Sequence, residues 1–256
     1  MVVNRYINFI TLPLLWVLSF TNTTAQSQDT ATEIIRKADT HARGTTSKAN
    51  VTIKIIRPNW SRELNMRMWA KGADYSLILI QSPAKEKGTV FLKRGKEVWN
   101  WIPSIERSIK LPPSMMSQSW MGTDFTNDDL VKESSAVTDY VHSFSGSDTL
   151  LGRPCYVITM IPKPESAVVW GKVIVRIDKK DHMELRMDFY DEEGELTSVI
   201  QATEVGTMAG RMLPTTMEMT PIGKKGHKTV MKYANLILDE PIDDSFFTTT
   251  NLKKVR

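Results

Sequence analysis

From Val51 onward the chain repeats one pattern, in which apolar and polar side chains alternate over short runs bounded by Gly, Pro, Asp or Asn. A period of two places successive side chains on opposite faces, which is strand geometry and not helix geometry. The runs are VTIKIIR, RELNMRMWA, YSLILIQ, the hairpin GTVFLKRGKEVWNWIP, YVITMIP, KVIVRID, HMELRMDFY, LTSVIQATEV, LPTTMEMTP and HKTVMKYANLILD. Each is rich in β-formers, and KRGKE, KKDHM and DEEGEL have the composition of tight turns between neighbours. About ten such strands in succession predict an antiparallel meander that curls on itself. No repeat of the solenoid kind interrupts it.

The alternation also sorts residues onto faces. Leu64, Met66 and Met68 share one face of their strand, against Glu63, Asn65 and Arg67. Met183, Leu185, Met187 and Phe189 oppose Glu184, Arg186, Asp188 and Tyr190; Met217 and Met219 oppose Glu218; Met231 and Tyr233 oppose Lys232. A sheet with one charged face turns it to water, and its apolar face must meet a core, a helix or a ligand. Fourteen methionines recur on that face and elsewhere. An unbranched, polarizable side chain suits a surface that accepts variable shapes, and an acyl chain is such a partner, gaining about 0.8 kcal/mol per buried methylene. Simple core packing is the competing reading for each of these residues.

Two segments depart from period two. SQDTATEIIRKADTHARG reads as one amphipathic helix, with Asp29 or Thr30 as its cap, Ala31, Ile34, Ile35 and Ala38 as its apolar stripe, and Gly44 as its end. Residues 103–134 carry Pro112-Pro113, then Met115, Met116, Trp120 and Met121, then Phe125 and a helix start capped at Thr126. This stretch reads as a loop with short helices, a lid across an opening of the sheet.

The first 25 residues form a class of their own. Arg5 is followed by the apolar run FITLPLLWVLSF and then Thr23-Thr24-Ala25. That is the layout of a secretory signal, too short to span a bilayer, and cleavage is expected after Ala25. The mature unit is then residues 26–256, one domain, exported and soluble. The single cysteine, Cys155, excludes an intramolecular disulfide, and its strand context reads as a buried inert thiol. The formal charge of +4 is scattered among acids, so no stripe suited to nucleic acid appears. The Lys253-Lys254-Val255-Arg256 tail reads as a solvated terminus.

Nothing in the chain calls for catalysis. His41, His142, His182 and His227 fall in no metal-ligand spacing, so no metal and no cofactor is expected. Asp128-Asp129 and Asp243-Asp244 read as helix-start or loop carboxylates without the alternating ligands of a calcium loop. Ser82-Pro83-Ala84-Lys85 matches a Ser-x-x-Lys nucleophile motif only by chance, because the partner motifs are missing.

Four landmarks carry a family resemblance: Trp69 with Ser82-Pro83 and Lys87-Gly88-Thr89; Glu97 through Pro103, with Trp99 and Trp101; Pro112-Pro113-Ser114-Met115-Met116 running into Met121-Gly122-Thr123-Asp124-Phe125-Thr126-Asn127-Asp128-Asp129-Leu130; and Pro241 through Phe247. With them the chain resembles the outer-membrane lipoprotein-sorting proteins, the LolA-like superfamily, over roughly residues 30–256. The resemblance implies a mainly β fold, an open, unclosed antiparallel barrel with the N-terminal helix and short helices on its concave face. It also implies acyl chains bound in that hollow. The expected groove comprises Leu64, Met66, Met68, Trp101, Met183, Leu185, Met187, Phe189, Met217, Met219, Met231 and Tyr233, under a lid of Met115, Met116, Trp120, Met121 and Phe125. An arginine that locks the lid is implied as well, with Arg67, Arg94 and Arg107 as candidates. The function expected is a non-enzymatic periplasmic carrier of a lipid or acylated lipoprotein. Its donor would be an inner-membrane transporter of the RND or ABC type, and its acceptor the outer membrane. The alternative is a periplasmic sensor or adaptor that binds a protein through the same face. In the carrier reading the groove expectation predicts that Met66→Glu or Met187→Glu abolishes lipid uptake in a folded protein, whereas a sensor or adaptor would carry no lipid.

Overall fold

The computed structural model describes residue 1 and residues 29–132, 135–166 and 168–255; apart from Met1, the expected signal of residues 1–25 lies outside the described residues. The helix α1 (Ala31–Arg43) forms where the 3.6-residue spacing places it. Thr30 caps it by accepting from the Glu33 N–H at 3.2 Å, and Gly44, at φ 62°, closes it with its N–H on Thr40 O. Ala31, Ile34, Ile35 and Ala38 are its buried stripe.

Thirteen strands follow in one antiparallel sheet: β1 (Thr46–Arg57), β2 (Trp60–Lys71), β3 (Tyr75–Ser82), β4 (Val90–Arg94), β5 (Glu97–Ile102), β6 (Arg107–Lys110), β7 (Tyr140–Leu150), β8 (Arg153–Pro162), β9 (Lys172–Asp178), β10 (Glu184–Tyr190), β11 (Leu196–Met208), β12 (Arg211–Pro221) and β13 (Lys228–Leu238). Their spatial order is β6-β5-β4-β3-β2-β1-β13-β12-β11-β10-β9-β8-β7, two meanders joined by the β1–β13 pairing. The edges β6 and β7 do not pair, so the barrel is open. The chain between them, residues 111–139, runs from one edge to the other.

The strand number exceeds the ten or so expected. The GTVFLKRGKEVWNWIP hairpin supplies both β4 and β5, and β6 and β7 were not anticipated at all. These last two are the sheet's edges. β6 is exposed along its whole length and β7 along most of it, so neither needs an apolar face and neither shows the alternation.

Register aligns the inner face. Ile53 of β1 stands between Leu64 of β2 and Met231 of β13; Met231 faces Met217 of β12, and Met217 faces Ala202 of β11. These residues join the buried residues of α1 in the main core. Each fully buried aliphatic side chain in such a row contributes about 1.5–3 kcal/mol.

A second, smaller core lies on the outer face. Trp69, Leu77, Leu79, Val90 and Leu92 are covered there by Ile242, Phe247, Leu252 and Val255 from the C-terminal segment. β3 is therefore covered on both faces, which explains the uninterrupted apolar run LILI. Ring pairs Trp69–Phe246 (5.4 Å) and Tyr75–Phe247 (5.5 Å) seat the segment, and Asp243 caps its short helical turn at Ser245 N. The tail is thus docked, contrary to the expectation of a solvated terminus: Lys253 and Lys254 are exposed, but Val255 is buried.

Candidate functional site

A cavity of about 390 Å³ lies on the concave side. The C-terminal half of α1 (Asp39, His41, Arg43) forms one wall. The inner faces of β2 and of β10 through β13 form another, and Phe125, residues 128–130 and Trp170 close it. Of the expected groove residues, Met68, Met183, Met187, Phe189, Met217, Met231 and Tyr233 line this cavity. Leu64, Met66, Leu185 and Met219 are buried in the same core but do not reach the cavity. Met66→Glu would therefore place a charge inside packed core and test folding, whereas Met187, half-buried at the wall, remains a probe of the cavity.

Trp101 is on the other face, a correction with a simple cause. In β5 the alternation sends Val98 inward and Trp99 and Trp101 outward, where they sit across from Leu92 and Val90 and pack on the outer core.

The lid residues sit deeper than a lid. Trp120 is fully buried, Met116 and Phe125 are buried, and Met115 and Met121 pack partly buried against the main core. The Trp120 ring lies 5.5 Å from that of Phe91. Of the five expected lid residues only Phe125 touches the cavity, so the segment plugs part of the concavity. Local hydrogen bonds shape it: Trp120 N–H to Phe125 O (2.8 Å), Thr123 Oγ1 to Trp120 O (2.7 Å) and Asp128 N–H to Met116 O (3.0 Å). The expected cap at Thr126 is present, with Asp129 N–H donating to Thr126 Oγ1 and Thr126 N–H to Asp129 Oδ2.

The arginine that holds this segment is Arg57, at the end of β1. Its Nη1 donates to Asp124 Oδ2 and its Nη2 to Gly122 O, both at 3.0 Å, and Thr229 Oγ1 donates to the same carboxylate at 2.7 Å. The Arg57 and Asp124 side chains are 10% and 6% exposed, so the pair works at reduced dielectric. The three candidates from the sequence lie elsewhere. Arg67 stacks over Trp69 at 4.7 Å on the outer face, and Arg94 and Arg107 are exposed. No local signal marks Arg57, because its partner Asp124 is 67 residues further along the chain.

Charge in the cavity was missed for a geometric reason. β10 carries a bulge: Glu184 sits across from Ile177, the next pair is Arg186 with Arg176, and Leu185 is the extra residue. Glu184 therefore lines the cavity and does not share the outer face with Arg186 and Asp188. Burial, with Asp39 nearby, pushes the Glu184 carboxyl up to about 7, against the opposing pull of Arg43. Arg186 and Asp188 do lie outside, where Asp188 pairs with both Arg186 and Arg176, and Arg176 also reaches Asp148. Asp129 accepts from the Trp170 indole N–H at 3.0 Å, and burial raises its pKa. Burial, with Asp128 and Asp129 nearby, likewise raises Tyr140.

Two of the four histidines tie structure together. His41 Nε2 meets Met212 O at 2.9 Å, and His142 links Thr32 of α1 to Ala136 O. Among the described residues no group of three or more His, Cys, Asp or Glu is placed to hold a metal. Cys155 is buried, and burial pushes its thiol pKa up. No helix among the described residues is long and apolar enough to cross a membrane.

An open antiparallel barrel with one helix and an inter-edge segment in its concavity defines the LolA-like class of folds. The chain superposes on a LolA superfamily protein from Nitrosomonas europaea with a TM-score of 0.75 at 24% identity, covering 87% of this chain and 99% of the other. A domain from Vibrio parahaemolyticus, provisionally described as an outer membrane lipoprotein-sorting protein domain, gives 0.78 at 21% identity, with coverage of 87% and 98%. A DUF1329 family protein from Desulfovibrio piger gives 0.79 at 22% identity, with coverage of 87% and 97%. A family model described as "Uncharacterized protein" matches residues 72–254, and the chain belongs to that family. Comparison with curated proteins returns no match.

Proposed function

We propose that the protein is a non-enzymatic periplasmic carrier that holds the acyl chain of a lipid or lipoprotein in the concave cavity. Its donor is an inner-membrane transporter of the RND or ABC type, and the outer membrane is the acceptor. The observation that carries this reading is the cavity itself, about 390 Å³ and walled by Met68, Met183, Met187, Met217 and Met231. Pockets for small ligands run from roughly 300 to 1,000 Å³, so the space suits one chain or part of one. Methionine walls adapt to a flexible chain without dictating its shape. The fold shared with a protein described as lipoprotein-sorting supports the same reading. Hydrophobic binding of this kind needs no nucleotide for release, because a more apolar acceptor suffices.

Native mass spectrometry with lipid extraction tests it, on protein purified from a periplasmic fraction without detergent. Co-purified phospholipid or acylated protein is the expected result. An empty protein that also fails to bind a fluorescent fatty acid overturns the carrier reading in favour of a surface for a protein partner.

A further inference from the structure

The cavity wall is mostly apolar, and the charge that enters it is mostly of one sign. Asp39, Asp128, Asp129 and Glu184 line it, against Arg43 as the cation. Arg43 is engaged by Asp39, Nε to Oδ1 at 3.2 Å, and Asp129 is engaged by Trp170 and Thr126. His41 is held on Met212 O. Glu184 differs from all of these. No hydrogen bond or ion pair engages its carboxylate among the described residues, yet the β10 bulge turns it inward between Met183 and Leu185, onto the surface that Met187 continues.

Resting on the carrier reading, we propose that the cargo is an amphiphile with a protonated amine in its polar part, and that Glu184 receives that amine while the alkyl chain lies along the methionine wall. A half-buried carboxylate at an apolar wall gains from a ligand that supplies its missing partner, and a bulge is a device that re-aims a single side chain. An ammonium group supplies both a donor and the complementary charge. A carboxylate or phosphate head at Glu184 would instead meet the like charge of Glu184 and of Asp39 beside it. A hydroxyl head would satisfy the hydrogen bond and leave the charge unanswered. The elevated Glu184 carboxyl is the group whose ionised form a neighbouring ammonium would favour.

The test is displacement of a neutral fluorescent probe, pyrenedecanol, from the full chain by dodecylamine, dodecanol and dodecanoic acid at neutral pH. Dodecylamine is expected to bind about tenfold more tightly than dodecanol, and dodecanoic acid more weakly than either. In Glu184→Gln the amine-to-alcohol ratio falls to within about twofold of unity, while Glu184→Asp, which keeps the charge, retains the preference. A cooperative thermal melt shows that each variant is folded. Equal binding of all three amphiphiles, tighter binding of dodecanoic acid, or an unchanged preference in Glu184→Gln overturns the inference and leaves the carrier reading standing. Failure of pyrenedecanol itself to bind overturns the carrier reading and this inference with it.

Discussion

Two parts of the concave face are built on the same sheet and behave as opposites. Under residues 111–127 the space is filled: Trp120 is fully buried against Phe91, and the Arg57–Asp124 pair fastens the segment to β1 and β13. Under the C-terminal half of α1 the same apolar wall is left uncovered, with half-buried methionines and an unengaged carboxylate around a cavity. The difference teaches that alternation alone creates an apolar face, and that the cross-connection decides which part of it becomes core and which part stays available.

Mutation of the filled part is expected to cost the most. Trp120→Ala should lower the free energy of unfolding by about 3–5 kcal/mol, measured by urea titration, because a large side chain leaves a packed site. A loss below about 1 kcal/mol would mean that the segment is a loose cover and would erase the contrast. Arg57→Ala leaves the buried Asp124 with Thr229 and without its cation, and should cost about 3 kcal/mol. Hydrogen exchange should locate that loss in residues 119–128, the segment that the pair fastens.

At the hollow part the signs change. The Glu184 carboxyl titrates near 7 in the fold, against an ordinary value of 4.5. The native state therefore holds a proton that the unfolded chain has released between those values, and stability falls as pH rises through that window. Glu184→Gln should raise stability by about 1–2 kcal/mol at about pH 8 and bring almost no gain at about pH 4, a comparison made by paired melts. A gain of equal size at both pH values would show that the carboxyl is not desolvated. The smallest effect belongs to Met187→Ala, about 1 kcal/mol or less, beside about 2–4 kcal/mol for the buried Met66→Ala. Met187→Glu should stay folded and lose acyl-chain binding, measured by fluorescent-probe titration.

Much of this was legible before any coordinates. The leading helix, its Thr30 cap, its Gly44 end and its apolar stripe all follow from residues within a few positions of one another. So do eleven of the strands and the inward direction of Met68, Met217 and Met231, since a strand's faces are set by its own alternation. The edge strands β6 and β7 were hidden because an exposed strand has no face to mark. Trp101 was assigned to the wrong side because aromatic character says nothing of direction, whereas Val98 inward forces Trp99 and Trp101 outward.

The sequence by itself determined a β-rich chain with one amphipathic helix and one apolar face, because periodicity and capping are local properties of neighbouring residues. Only the tertiary structure decided that Arg57 meets Asp124, that Leu185 is the extra residue turning Glu184 into the cavity, and that the C-terminal segment covers the outer face. Each of these depends on register or packing between segments far apart in the chain, and such relations are set by the energy of the assembled fold, not by the pattern within any one strand.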